Sequence, residues 1–324
     1  MKKLISIALA VALLTASGAT AAREKRDAVA PSKITIAYQP GLGYAPLILM
    51  KQRRTLEAQF PGLDVEWRVL ASGTPITNGV INGDIQIGAM GVGPMLVGWA
   101  RGVNWKIIAP LNEADLWLMA TKRDVRTIGD LRGKRIATPT NTSIQAVILR
   151  KMAEARLGNA KALDGGLLAM DHPDGMQALL TGQIDAHFTS PPFQFQERAR
   201  GAHIVGRSKS YFGAHSFLVT VMTQQFYNQY PRFARAFYNN VVRMETLIKR
   251  NPNYVAGVLA RDAGGNPTAR QWRGWLTNKA MNWTTRPRGL IRTAFFMKRT
   301  DQIPKLPGSW RELVFPPVYP TRGS

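Results

Sequence analysis

A run of elements between Lys33 and Thr121 recurs roughly one hundred residues later, and that recurrence limits the fold more than any other feature of the chain. Ile36-Ala37-Tyr38 is matched by Ile136-Ala137-Thr138, each opening a loop before a helix. Within those helices Ile48-Leu49-x-Lys51 is matched by Ile148-Leu149-x-Lys151. Gly83-x-Ile85 is matched by Gly182-x-Ile184, in both cases a helix end followed by a strand and a turn-rich loop. The first copy reads as strand Ile34 to Tyr38, helix Ala45 to Arg53, strand Val65 to Leu70, helix Ile76 to Asn82, strand Ile85 to Met90, helix Met95 to Arg101 and strand Trp105 to Pro110. Strands alternating with helices predict a mainly parallel sheet wrapped by helices. The expected fold is therefore α/β with two lobes of one design. The first lobe takes residues 33–120 and 216–324, and the second takes 121–215. Helices at Pro231 to Arg250, Asn253 to Asp262, Thr268 to Asn278 and Gly289 to Lys298 make the C-terminal part helical. The tail, with Pro304, Pro307, Pro316, Pro317 and Pro320, is expected to be extended. Lobes joined by two crossings, near Leu116–Ala120 and His215–Val219, make a hinge that closes on a ligand.

The N-terminus reads as an export signal over residues 1–21. Lys2 and Lys3 precede the apolar run Leu4 to Leu14, and Ala19-Thr20-Ala21 offers small residues to a signal peptidase. The run is too short to span a bilayer comfortably. With no cysteine anywhere there is no thiol for a lipid anchor, a disulfide, a cysteine nucleophile or a thiolate metal site. A soluble periplasmic protein without stable membrane insertion is expected. The net charge of +23 invites a nucleic-acid reading. The basic residues nevertheless scatter between apolar positions of amphipathic segments, as at Arg53, Arg123, Arg243 and Lys249, which describes solvated helix faces. No nucleic-acid partner is expected.

Catalytic patterns are missing. His172, His187, His203 and His215 have no second ligand at i+3 or i+4 on a clear helix, so neither a metal nor a cofactor is expected. Gly41-x-Gly43-x-x-Pro46 puts proline where a dinucleotide fingerprint needs glycine. Binding is better supplied. Gln39 to Tyr44, Ser72 to Thr74, Gly91 to Gly93, Asn141 to Ser143, Asp171 to Gly175 and Ser190 to Pro192 follow strand ends and lead into helices. Ligands sit at that edge of open α/β sheets, and helix N-termini there offer free N–H groups to an anion. If Ser72 and Ser143 each bond the ligand, replacing either with Ala should weaken binding about tenfold. Glu113, Asp115 and Asp171 at the cleft edge would instead pair with a ligand amine, unless they serve as a helix cap or hinge ion pairs. Glu113 and His215 are also the residues an exported enzyme on this scaffold would need, with strongly perturbed protonation.

The segments Ile34 to Pro46, Ser72-Gly73-Thr74, Asn82 to Gly88 and Gly91-Val92-Gly93-Pro94 resemble the nitrate/sulfonate/taurine-type substrate-binding proteins of ABC importers. Ile128 to Ala137 and Leu179 to Ala186 resemble two later segments of that family, which also includes alkanesulfonate and thiamine-pyrimidine binders. The resemblance implies a type II, flytrap-like periplasmic binding fold and a monomer that delivers its solute to a membrane permease driven by a separate ATPase. By position it implies contacts from Gln39, Gly43, Tyr44, Ser72, Gly73, Gly91, Val92, Asn141, Thr142, Ser143 and Ser190. Glu113, Asp171 and His215 complete the candidate ligand-binding set. The implied ligand is a small organic anion or zwitterion, with a pyrimidine or other aromatic compound as the alternative.

Overall fold

The computed structural model describes residues 30–324, so the signal-peptide reading lies outside the described residues. Among the described residues eleven strands form two sheets: β1 Lys33–Tyr38, β2 Asp64–Val69, β3 Ile87–Gly91, β4 Trp105–Ala114, β5 Trp117–Ala120, β6 Ile136–Thr138, β7 Leu167–Ala169, β8 Ala186–Phe188, β9 His203–Arg207, β10 Ser216–Thr223 and β11 Met281–Asn282. The first sheet runs β11-β4-β10-β3-β1-β2 and the second β7-β6-β8-β5-β9. Removing β11 leaves the same order in both, with β1, β2, β3 and β4 standing where β6, β7, β8 and β9 stand. The register repeats as well. Ile36 faces Trp67 and Ile87, while Ile136 faces Leu167 and Ala186. The recurrence in the sequence is thus a repeated sheet.

Each sheet is mixed rather than mainly parallel. β2, β1 and β3 are parallel, as are β7, β6 and β8, but β10 and β5 run antiparallel to their neighbours. The reason lies in the crossings. β5 is where the chain enters the second lobe, and β10 is where it returns to the first, so each inserts with reversed direction. Trp117–Ala120 accordingly pairs with β8 and β9 in the second sheet, not with the first lobe. The crossings are Asp115–Leu116 and the segment from Ser208 to His215. They are stitched together, with the Leu116 N–H donating to Ser208 Oγ at 2.8 Å and the Ser208 N–H to the Leu116 carbonyl at 2.8 Å.

Burial follows the layering. β1 is covered on both faces and is apolar throughout its interior, from Ile34 to Tyr38 apart from Thr35. β2 lies at an edge and is only partly covered. The long helix Pro231–Arg250 begins on proline, where no N–H is needed, and carries Lys249 and Arg250 in its last turn. Its Phe233, Phe237, Val241, Met244 and Ile248 share one buried stripe. The tail departs from the extended expectation, because Pro316–Thr321 winds into a short 3₁₀ helix after the Phe315 N–H bonds the Ile107 carbonyl at 2.9 Å. Prolines in its first turn lose no bond that such a helix requires. Among the described residues no helix is long and apolar enough to cross a membrane.

Candidate functional site

The carboxyl ends of β1 and β3 and of β6 and β8 border one cavity of about 360 Å³ between the lobes. The first lobe contributes Gln39, Gly43 and Tyr44 after β1, Gly73 at the start of a helix, and Gly91 at the end of β3. The second lobe contributes Thr142, Ser143 and Ser190. Tyr44 is fixed in place: its hydroxyl accepts from Gln39 Nε2 at 2.9 Å, and its ring tilts against Tyr38 at 5.9 Å. Burial pushes its phenol far above the ordinary range, so it stays neutral.

Helices Gly73–Asn82, Val92–Ala100 and Ile144–Leu157 all begin at this cavity. The first two start at Ser72 and Gly91 without a side-chain cap, which leaves their first N–H groups for an occupant. The third is capped by its own Ser143, whose Oγ accepts from the Ala146 N–H at 3.2 Å and donates to the Thr140 carbonyl at 2.8 Å. That hydroxyl is already engaged, which changes the expected effect of its removal. Ser143→Ala should lower the stability of the unliganded protein by about 1 kcal/mol through loss of the cap. Urea denaturation checks it; an unchanged midpoint would mean that the hydroxyl is free for the ligand instead.

The other candidates lie elsewhere. Ser72 and Asp171 border an adjoining hollow with Pro139 and Met170. Val92 is buried within its helix, and Asn141 turns its carbonyl to Arg150 Nη1 at 2.8 Å. Glu113 is buried in β4, where Oε1 lies 3.0 Å from Arg288 Nε and Oε2 accepts from Asn282 at 3.2 Å. Asp115 accepts from Arg207 Nη1 at 3.2 Å, from the Trp117 indole at 3.3 Å and from the Lys209 N–H at 3.1 Å. Glu113 and Asp115 are therefore held in ion pairs, Asp115 at the crossing between lobes, and not aimed at the cavity. His215 donates through Nδ1 to the Gly213 carbonyl at 2.8 Å, and burial keeps its imidazole below the usual range.

Further lining residues were not singled out from the sequence. Thr77, Asn78 and Ile81 continue the face that begins at Gly73, and Val97 and Arg101 continue the face of Pro94. The 3.6-residue period carries both sets and could have found them once the first residue of each face was fixed. Gln145 and His172 line the second lobe's wall, and Phe217 and Leu218 of β10 close the base. Burial holds His172 neutral, well below the ordinary imidazole range. Among the described residues Arg101 is then the only ionised side chain in the lining, which contains no carboxylate. Such a cavity can hold a compact anion on main-chain N–H groups, beside an apolar body packed on Ile81, Val97, Phe217 and Leu218.

The lobes touch around the cavity. The Leu42 N–H donates to the Pro191 carbonyl at 3.1 Å. Gly93 packs so closely on the second lobe that a Cβ there would lie 2.5 Å from the Thr142 carbonyl oxygen.

The chain matches the NMT1-like family over residues 27–259. A protein of Escherichia coli strain K12, provisionally named an aliphatic sulfonates-binding protein, is 26% identical over 197 residues, which is 60% of this chain and 58% of that relative's length. The taurine-binding periplasmic protein of the same strain is 23% identical over 296 residues, covering 87% of this chain and 91% of the relative. Among solved structures, the alkanesulfonate-binding protein SsuA from Xanthomonas axonopodis pv. citri bound to MOPS superposes with a TM-score of 0.73 at 21% identity, covering 86% of this chain and 96% of that one.

Proposed function

Since the chain belongs to the NMT1-like family, we propose that it is the solute-binding receptor of an ABC importer, capturing an organic sulfonate in the interlobe cavity and delivering it to a membrane permease. The observation that carries the reading is a cavity bordered by helix N-termini from both lobes, with one cation, Arg101, and no carboxylate among the described residues. Main-chain N–H groups and helix dipoles would hold the sulfonate oxygens, and the apolar wall would hold the carbon chain. A ligand touched by both lobes stabilises only the shut form, and that difference in affinity drives closure. The names of the relatives, an aliphatic sulfonates-binding and a taurine-binding protein, support the same ligand class. Since Glu113 and Asp115 are engaged elsewhere, a ligand ammonium gains little here, and plain alkanesulfonates are favoured over taurine. Periplasmic residence agrees with the name of the taurine-binding relative.

A thermal-shift series tests the assignment, because a bound ligand stabilises by mass action, about 2.7 kcal/mol at one hundred times its Kd. Ethane- to hexanesulfonate should raise Tm, and more than taurine, nitrate or a hydroxymethylpyrimidine. A shift produced by the pyrimidine alone would overturn the sulfonate reading.

A further inference from the structure

Behind the wall of the cavity runs a file of four polar side chains, the first three of which have no polar side chain at the equivalent positions of the other lobe. Gln145 Nε2 lies 3.1 Å from His172 Nε2, His172 Nδ1 lies 3.1 Å from His187 Nε2, and His187 Nδ1 lies 2.6 Å from Glu197 Oε1. The first two line the cavity, and the last two are fully buried. In the repeat, Gln145, His172 and His187 stand where the first lobe has Ala45, Gly73 and Gly88. The packing is exchanged to make room. Gly88 sits beneath Ile76 and Val80, whereas His187 sits beneath Gly175, where a Cβ would come within 2.7 Å of its ring. His172 stacks on Phe193 at 5.6 Å.

We propose that His172, His187 and Glu197 are positioning residues for Gln145: a proton on the buried Glu197 carboxyl fixes the direction of every hydrogen bond in the file, so that Gln145 presents its NH₂ to the anion in the cavity. This inference rests on the sulfonate reading above for its ligand, but not for the relay. Both imidazoles are neutral, held down by burial, His187 to about 3. Each neutral ring has one donor and one acceptor, so one direction at the buried end sets all the others. With Glu197 protonated, its O–H donates to His187 Nδ1, His187 Nε2–H donates to His172 Nδ1, and His172 Nε2–H donates to the Gln145 carbonyl. The Gln145 NH₂ then faces the cavity; a half-turn of the amide exchanges its two ends. With Glu197 ionised the file reverses, and Gln145 turns its carbonyl to the cavity, an acceptor facing an acceptor.

Two observations place the proton on Glu197. Its Oε2 is buried without a hydrogen bond, a costly place for ionic charge. Burial also pushes its carboxyl up to about 9. Of the groups around it, Arg200 beyond the end of its own helix favours the ionised form. Strand β8 presents His187, with Asp185 next to it held by Lys122. The helix His172–Leu180 presents His172 and carries Asp171 and Asp174 at its start.

Nitrogen-15 NMR of the histidine-labelled protein without ligand reads the direction of the file. His172 and His187 should both be Nε2–H tautomers at pH 7 and pass to Nδ1–H as pH rises through about 9. Affinity for butanesulfonate should fall about tenfold over the same interval. In Glu197→Gln the amide N–H replaces the acid proton, so the alkaline tautomer change and the fall in affinity should both vanish. Nδ1–H tautomers at pH 7, or an unaltered alkaline fall in Glu197→Gln, would overturn the relay. The wild-type titration decides the matter even if that variant does not fold. Nε2–H tautomers in a protein that binds no sulfonate would sustain the relay while removing the ligand reading.

Discussion

Gly93→Val is expected to lower ligand affinity by roughly a hundredfold while leaving the unliganded protein as stable as the wild type. Gly93 stands in the first turn of the helix Val92–Ala100, against the loop of the opposite lobe. An added Cβ would meet the Thr142 carbonyl oxygen at 2.5 Å, the Ile144 nitrogen at 2.9 Å and the Ser143 carbonyl carbon at 3.0 Å. All three are backbone atoms anchored by the capped helix start, so none can swing aside as a side-chain tip would. Overpacking of this kind costs about 1–3 kcal/mol, which is about five- to 150-fold in an equilibrium constant. The clash exists only while the lobes touch, so the whole cost falls on closure and none on the folding of either lobe. Calorimetric titration with an alkanesulfonate, beside urea denaturation without it, separates the two. Wild-type affinity in Gly93→Val would show that the ligand is held without this contact.

A large loss of stability is expected for Asp115→Ala, about 3 kcal/mol, because that carboxylate gathers the crossing between the lobes. It accepts from Arg207, from the Trp117 indole and from the Lys209 N–H, and it is 7% exposed. The Arg207 guanidinium meanwhile lies over the Trp117 ring at 4.8 Å. Hydrogen bonds to a charged group contribute about 1.5–3 kcal/mol each, and removing a buried partner leaves the others unmet. The Arg207 side chain is 42% exposed, which tempers its share of the loss. Urea titration should show the lower midpoint with an unchanged slope; a loss below about 1 kcal/mol would mean that water replaces the carboxylate without penalty.

The repeated sheet was legible because identities such as Ile36-Ala37 and Ile136-Ala137 fall in buried strands whose register is then the same. The loops holding Gly73, Gly91 and Ser143 were legible from turn chemistry at strand ends and border the cavity, but the helices after the first two begin at Gly73 and Val92, earlier than the Ile76 and Met95 that the sequence suggests. The lobe that owns Trp117–Ala120 was not. A short apolar run is buried equally well in either sheet, and only pairing with β8 and β9 decides it. For Glu113 and Asp115 the sequence left a ligand amine, a helix cap and a hinge ion pair open, because it gives no distance to Arg288 and Arg207, which reach them from remote segments and make the ion pairs. The file from Gln145 to Glu197 draws on four separate elements, so a search for i+3 and i+4 partners along one helix could not find it.

Small-angle X-ray scattering with and without a saturating alkanesulfonate tests ligand-driven closure most directly. The radius of gyration of the wild-type protein should shrink on addition of the ligand, and that of Gly93→Val should not. A wild-type profile unchanged by a sulfonate that demonstrably binds would contradict capture by closing lobes.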